Sequence, residues 1–170
     1  VSFGAEEQLS VGSAAYVRVH RDEVSRQGRL MYSLDSFGSH LGWLQLYLNA
    51  HPDFEGTFRP HFRQASLFYQ VITRVVPYSD HFPFVAAGLP GVFHHRANCE
   101  SGRFFHHRSD DDLSRVSAHV IARDVSAVAT WLDEMTRTEA LPFTPGIPEA
   151  QRPEIASCWE DLFGGWRAHA

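Results

Sequence analysis

Val1-Ser2-Phe3-Gly4-Ala5-Glu6-Glu7 opens the chain with a short apolar run that stops on two adjacent carboxylates. Read as β structure, it leaves Glu6 and Glu7 at the carboxyl end of a core strand. Neighbouring glutamates repel and gain nothing from burial, so a pair in that place calls for a positive counterpart, a metal ion above all. Taken alone the pair also reads as a solvated turn after an edge strand, a common setting for acids. The rest of the chain tips the balance. Asp35 follows a second β-like run, and His107 stands in Phe105-His106-His107-Arg108-Ser109-Asp110-Asp111. Glutamate, aspartate and histidine arriving from separate segments have the composition of a metal site.

Four segments, in order, resemble the M28 family of zinc-dependent exopeptidases, the bacterial aminopeptidase type with two co-catalytic zincs. They are Phe3-Gly4-Ala5-Glu6-Glu7 with Val11 to Val17, then Leu34-Asp35-Ser36-Phe37-Gly38, then Ser79-Asp80-His81-Phe82-Pro83-Phe84, then His107 to Val116. The likeness runs from Val1 to about Met135. It implies Glu6 as general base, Glu7 and His107 on one zinc, Asp35 on the second, and hydrolysis of N-terminal peptide bonds. The family's histidine is followed four positions later by aspartate, here Asp111. Placing Leu113 and Val116 on the helix that follows selects His107 over His106. His106 then stands where relatives often carry a tyrosine that hydrogen-bonds the tetrahedral intermediate, so that role does not transfer directly. Asp80 and His81 are expected to orient ligands or to cap a helix, and His94-His95-Arg96, His94 above all, to line the substrate cleft.

The family also draws a histidine and a metal-bridging aspartate from a segment ahead of the Glu-Glu strand. Within these residues three ligand candidates remain for a site that needs five. The expectation is therefore the C-terminal portion of a catalytic domain, its N-terminal part missing, inactive by itself and holding one zinc or none where the complete enzyme holds two. Two other readings share the fold: a glutaminyl-cyclase-like acyltransferase with a single zinc, and a non-catalytic peptidase-like binding domain. Four retained acids and imidazoles argue against the last, since a scaffold has no need of uncompensated carboxylates at a strand end.

Bulk composition sets outer limits. A chain of 170 residues with 44% hydrophobic content can bury one sizeable core. Its net charge of −5 and 15 scattered basic residues, all arginine, speak against a nucleic-acid partner; the resemblance implies a peptide or small amino-acyl substrate. No apolar run approaches the ~20 residues of a membrane span. Cys99 and Cys158 form no metal-binding spacing and read as two free thiols rather than a disulfide.

Along the chain, Ser10 is expected to cap a helix that stops at Gln27-Gly28, and Arg29 to Leu34 reads as a strand that delivers Asp35. Trp43 to Leu48 is a further strand, 54–60 a loop, and 61–76 a helix ended by Pro77. A short helix in 79–87, a strand over 91–95 and a loop over 98–103 follow. A long helix should start near Ser109 or Asp110, with aspartates in its first turn and Leu113, Val116, Val120, Val128, Leu132 and Met135 on one stripe. Strands alternating with helices predict an α/β three-layer sandwich, its sheet mostly parallel but mixed and covered on both faces. Residues 1–138 make the peptidase-like unit. Residues 139–170 form a Pro-rich tail with a helix at 154–163 packing back through Trp159 and Phe163.

Overall fold

A mixed four-stranded sheet carries the architecture, in a computed structural model that describes residues 2–167. Val1, the first residue of the expected opening strand, and residues 168–170 of the tail lie outside the described residues. The strands are β1 (Met31–Leu34), β2 (Trp43–Asn49), β3 (Tyr69–Ile72) and β4 (Gly91–Ala97), in the order β1-β4-β2-β3. β1 pairs with β4 in parallel, as β2 does with β3, and only the β2–β4 pair is antiparallel. The sheet is thus mixed, with two of its three pairings parallel.

Helices cover both faces, as the alternation of strands and helices predicts. On one face α3 (Phe54–Gln64) and α5 (Ala118–Thr136) lie over β2 and β4. There Leu44, Leu46, Leu48 and Val92 meet Phe54, Phe58, Phe62 and Trp131 in the main core. Each such large apolar side chain contributes about 1.5–3 kcal/mol on burial. On the other face α4 (His81–Ala86) sits close to β4, where a Cβ on Gly91 would come within 2.3 Å of Val85 Cγ2. Behind α4 pack α1 (Val11–Val19) and α6 (Arg152–Phe163), joined through Ala14, Phe82, Val85, Ile155, Trp159 and Phe163. Cys99 and Cys158 are free, and among the described residues no helix is long and apolar enough to cross a membrane.

Several elements differ from their sequence-based expectation. Residues 2–5 form no strand. Phe3 instead sets its ring against Tyr16 and Phe84, 5.6 and 5.8 Å between centroids, and Ala5 takes a left-handed φ of 56°. The Ala5 and Glu6 carbonyls then accept from the N–H groups of Val11 and Ser10, so the chain's polar groups are satisfied by a turn rather than a ladder. The single helix from Ser10 is two: α1 ends at Val19, α2 runs Arg21–Gln27, and His20 joins them. Ser10 is itself left-handed, at φ 50°, and its buried hydroxyl caps nothing.

Residues 54–60 are not a loop, nor 61–76 a helix. Helix α3 takes the first span and ends at Gln64, and β3 takes part of the second. Gly56 and Pro60, both poor in helix interiors, mask the stripe of Phe54, Phe58 and Phe62, which is what holds α3 down. The long helix starts at Ala118, not near Ser109. Ser117 is its N-cap, accepting from the Val120 N–H, while Asp112 caps a separate turn at Ser114. Leu113 is 87% exposed and Val116 39%, so neither belongs to the buried stripe and no aspartate occupies the first turn of α5.

Candidate active site

One cavity of about 590 Å³ is lined by Glu6, Glu7, Asp35, His95, His106 and His107, with Leu9, Val76, Tyr78 and Phe93 as its apolar wall. Asp35 arrives at the carboxyl end of β1, where its N–H extends the ladder to the His94 carbonyl at 3.1 Å. Glu6 and Glu7 stand in the turn ahead of α1 rather than at a strand end. His106 and His107 close a π-helical turn, Ser101–Phe105, that follows β4, with their rings stacked at 3.8 Å.

Glu7 and His107 are in direct contact, carboxylate Oε2 to imidazole Nε2. Glu6 beside them is half-buried, and its carboxyl is pushed up to about 7. Burial is the main cause, followed by the charges of Asp35, Glu7 and Asp80, with His107 pulling the other way. Burial and Asp35 also raise Asp80, although Ser13 Oγ donates to it at 2.6 Å. A carboxyl that titrates near neutrality inside a cavity has the property a proton carrier requires. Two residues on this rim, Ser36 at φ 51° and His107 at φ 62°, are held in the left-handed region that L residues rarely adopt.

The remaining expected residues fall elsewhere. Asp80 starts α4 but bonds to Ser13 instead of capping. His81 is fully buried, stacks on Phe93 at 5.5 Å, and is pushed down to about 3 by that burial, with the Ser79 backbone pulling the other way. Asp111 accepts from Ser101 Oγ at 2.8 Å and lines an adjoining cavity of about 420 Å³ that shares Glu7 and His106 with the first. His94, expected in the cleft, points to the opposite face of the sheet. Its Nε2 meets Asp124 of α5 at 3.3 Å and its Nδ1 meets Tyr32 Oη at 2.8 Å. Strand alternation puts the neighbouring His95 in the cavity instead, with a buried Nδ1 that has no partner. Because Leu113 and Val116 lie outside α5, the helix register that singled out His107 loses its premise. The contact with Glu7 now distinguishes it.

Zinc fits these residues in part. A carboxylate and an imidazole in contact are suitable donors, and Asp35 opens on the same cavity. Among the described residues, however, no group of three or more His, Cys, Asp or Glu side chains is arranged to hold a metal ion.

Residues 1–132 match the family model described as peptidase family M28. Among solved structures, an aminopeptidase from Aneurinibacillus sp. strain AM-1 superposes with a TM-score of 0.64 at 26% identity, over 84% of this chain and 34% of that one. The chain thus spans about a third of the length of that aminopeptidase. No curated protein matches the sequence.

Proposed function

The chain belongs to peptidase family M28, and from that premise we propose that its cavity is the working part of a zinc-dependent exopeptidase that hydrolyses N-terminal peptide bonds. The observation that carries this reading is Glu6, its carboxyl raised to about 7 beside the Glu7–His107 contact. Glu7 and His107 would hold one zinc and Asp35 would serve a second. Bound zinc supplies Lewis-acid polarisation of the scissile carbonyl and lowers the pKa of water.

The proton work falls to Glu6. Near neutrality it can take a proton from the attacking water and return it to the departing amine, because its two forms lie close in free energy there. Leu9, Val76 and Phe93 give the cavity an apolar wall against which an apolar side chain of a substrate would pack. His95 and His106 offer ring nitrogens toward developing negative charge. In the same reading residues 1–138 are the catalytic part and residues 139–170 a tail, with α6 against α4.

Zinc stoichiometry by elemental analysis and turnover of a leucyl chromogenic substrate test the proposal. Zinc-dependent release of the N-terminal residue is the expected result in the protein that carries this chain. Cyclisation of an N-terminal glutaminyl peptide without leucyl hydrolysis would replace hydrolysis by acyl transfer, and zinc-independent turnover would refute both.

A further inference from the structure

We infer that Arg96, locked by Asp124, is a positioning residue for Asp35, holding the strained turn that aims this carboxylate into the cavity. The inference rests on the role proposed for Asp35, but its geometry stands apart from the metal.

Asp35 and Ser36 continue β1 past its last residue. The Asp35 N–H donates to the His94 carbonyl at 3.1 Å, and the Arg96 N–H donates to the Ser36 carbonyl at 3.1 Å. Between those two bonds Ser36 is bent to a φ of 51°, while its hydroxyl donates to Asp35 Oδ1 at 3.2 Å. A left-handed residue that is not glycine is strained and persists only where its surroundings over-determine it.

Arg96 does most of that determining. Beyond its backbone bond, its Nε donates to the Phe37 carbonyl at 3.0 Å and its Nη1 to the Gly42 carbonyl at 3.3 Å, so one guanidinium grips both ends of the segment 37–42. Its Nη2 donates to Asp124 Oδ2 at 3.0 Å, from the far side, in the core. Asp124 is fully buried and braced by His94 at the same oxygen and by Arg123 at the other, 3.4 Å away. The Gly38 carbonyl receives the Ser117 N–H at 2.7 Å, which ties the same loop to the start of α5. A planar fork with three separate partners fixes position as well as charge, which an ammonium group cannot reproduce.

The deciding test is residue-resolved hydrogen exchange on the 170-residue chain. In the unaltered chain the amides of Asp35 and Arg96 should be protected as well as those of central β4, because they belong to the same ladder. Arg96→Lys keeps a cation for Asp124 and removes the fork. It should speed exchange of the amides that tie this loop, those of Asp35, Arg96 and Ser117, by at least about tenfold while β2 and α3 stay protected. In the zinc-loaded protein that carries this chain, the same variant should lower kcat about 10–100-fold with KM within about twofold, the signature of a misplaced group rather than lost binding.

Exchange of those three amides at exposed-loop rates in the unaltered chain, or equal acceleration everywhere in Arg96→Lys, would overturn the inference. Failure of the functional reading looks different. Asp35→Asn would then leave turnover unchanged while the exchange result for Arg96 still held.

Discussion

Strand β4 treats charge in opposite ways on its two faces. Toward α5, His94 and Arg96 converge on Asp124, and every ring nitrogen, guanidinium nitrogen and carboxylate oxygen of the three has a partner. Toward α4 and the cavity, His95 keeps a buried nitrogen without one, and Glu6 is raised to about 7 by its burial and by the acids around it. A closed polar network specifies a structure, whereas an open one leaves binding capacity to something that enters. The two faces should therefore respond to mutation in different currencies: stability on the α5 side, metal and turnover on the cavity side.

The largest effect expected on stability is on the closed face. Asp124→Ala strands Arg96 and His94 in the core and should cost about 3–5 kcal/mol, read by denaturant unfolding. A loss below about 1 kcal/mol would mean that the face is not closed. By contrast, Glu7→Gln breaks a contact whose side chains are 57% and 67% exposed, and thermal melting should find it within about 0.5 kcal/mol of the unaltered chain.

His81 sharpens the contrast between faces, since it is buried beside the cavity wall yet belongs to the core. Its folded pKa of about 3 lies below the ordinary 6.5. Its stabilising neutral form is thus fully present above pH 6.5, and stability falls as pH drops toward 3. Between pH 7 and pH 4 that loss should reach about 3 kcal/mol. His81→Phe should flatten this limb, and an unchanged acid limb in that variant would remove His81 from the account.

A smaller effect of opposite sign is expected at Glu6. Its folded pKa is raised from 4.5 to about 7. Stability from its protonated form is complete below 4.5 and lost as pH rises through 7. Glu6→Gln should therefore melt higher than the unaltered metal-free chain at pH 8 and coincide with it at pH 4.5. Because solvent screens a half-exposed carboxyl, the gap should stay below about 1 kcal/mol.

Not every part of this contrast was legible in the sequence. Periodicity and breakers gave β1, β2, β4, α4 and α6 to within a few residues, along with the layered α/β order. They failed at α3, where Gly56 and Pro60 outweighed three phenylalanines at helical spacing, and at α5, where Asp110 to Asp112 imitated a helix start that Ser117 supplies. Residues 2–5 misled because so short a stretch, Ser2-Phe3-Gly4-Ala5, carries no sign of what it pairs with. Here Phe3 packs on rings.

At the cavity, the four acids and imidazoles read from motif order all line one space. His94-His95-Arg96 was expected at the cleft as a unit, with His94 put forward, although strand alternation from Val92 in the core separates His95 from its two neighbours. The link from Arg96 to Asp124 had no local signal. It joins residues 28 positions apart through tertiary packing alone.

The claim that the open face is a metallopeptidase site is tested most directly by measuring zinc content and leucyl-substrate turnover side by side for Glu6→Gln and Glu7→Gln. Both belong in the protein that carries this chain. Glu6→Gln should retain its zinc and lose about 10²–10⁴-fold in turnover, because a general base moves protons without holding the metal. Glu7→Gln should lose zinc as well as activity. A Glu6 variant that purifies without zinc while the Glu7 variant keeps it, or full turnover in either, would contradict the account.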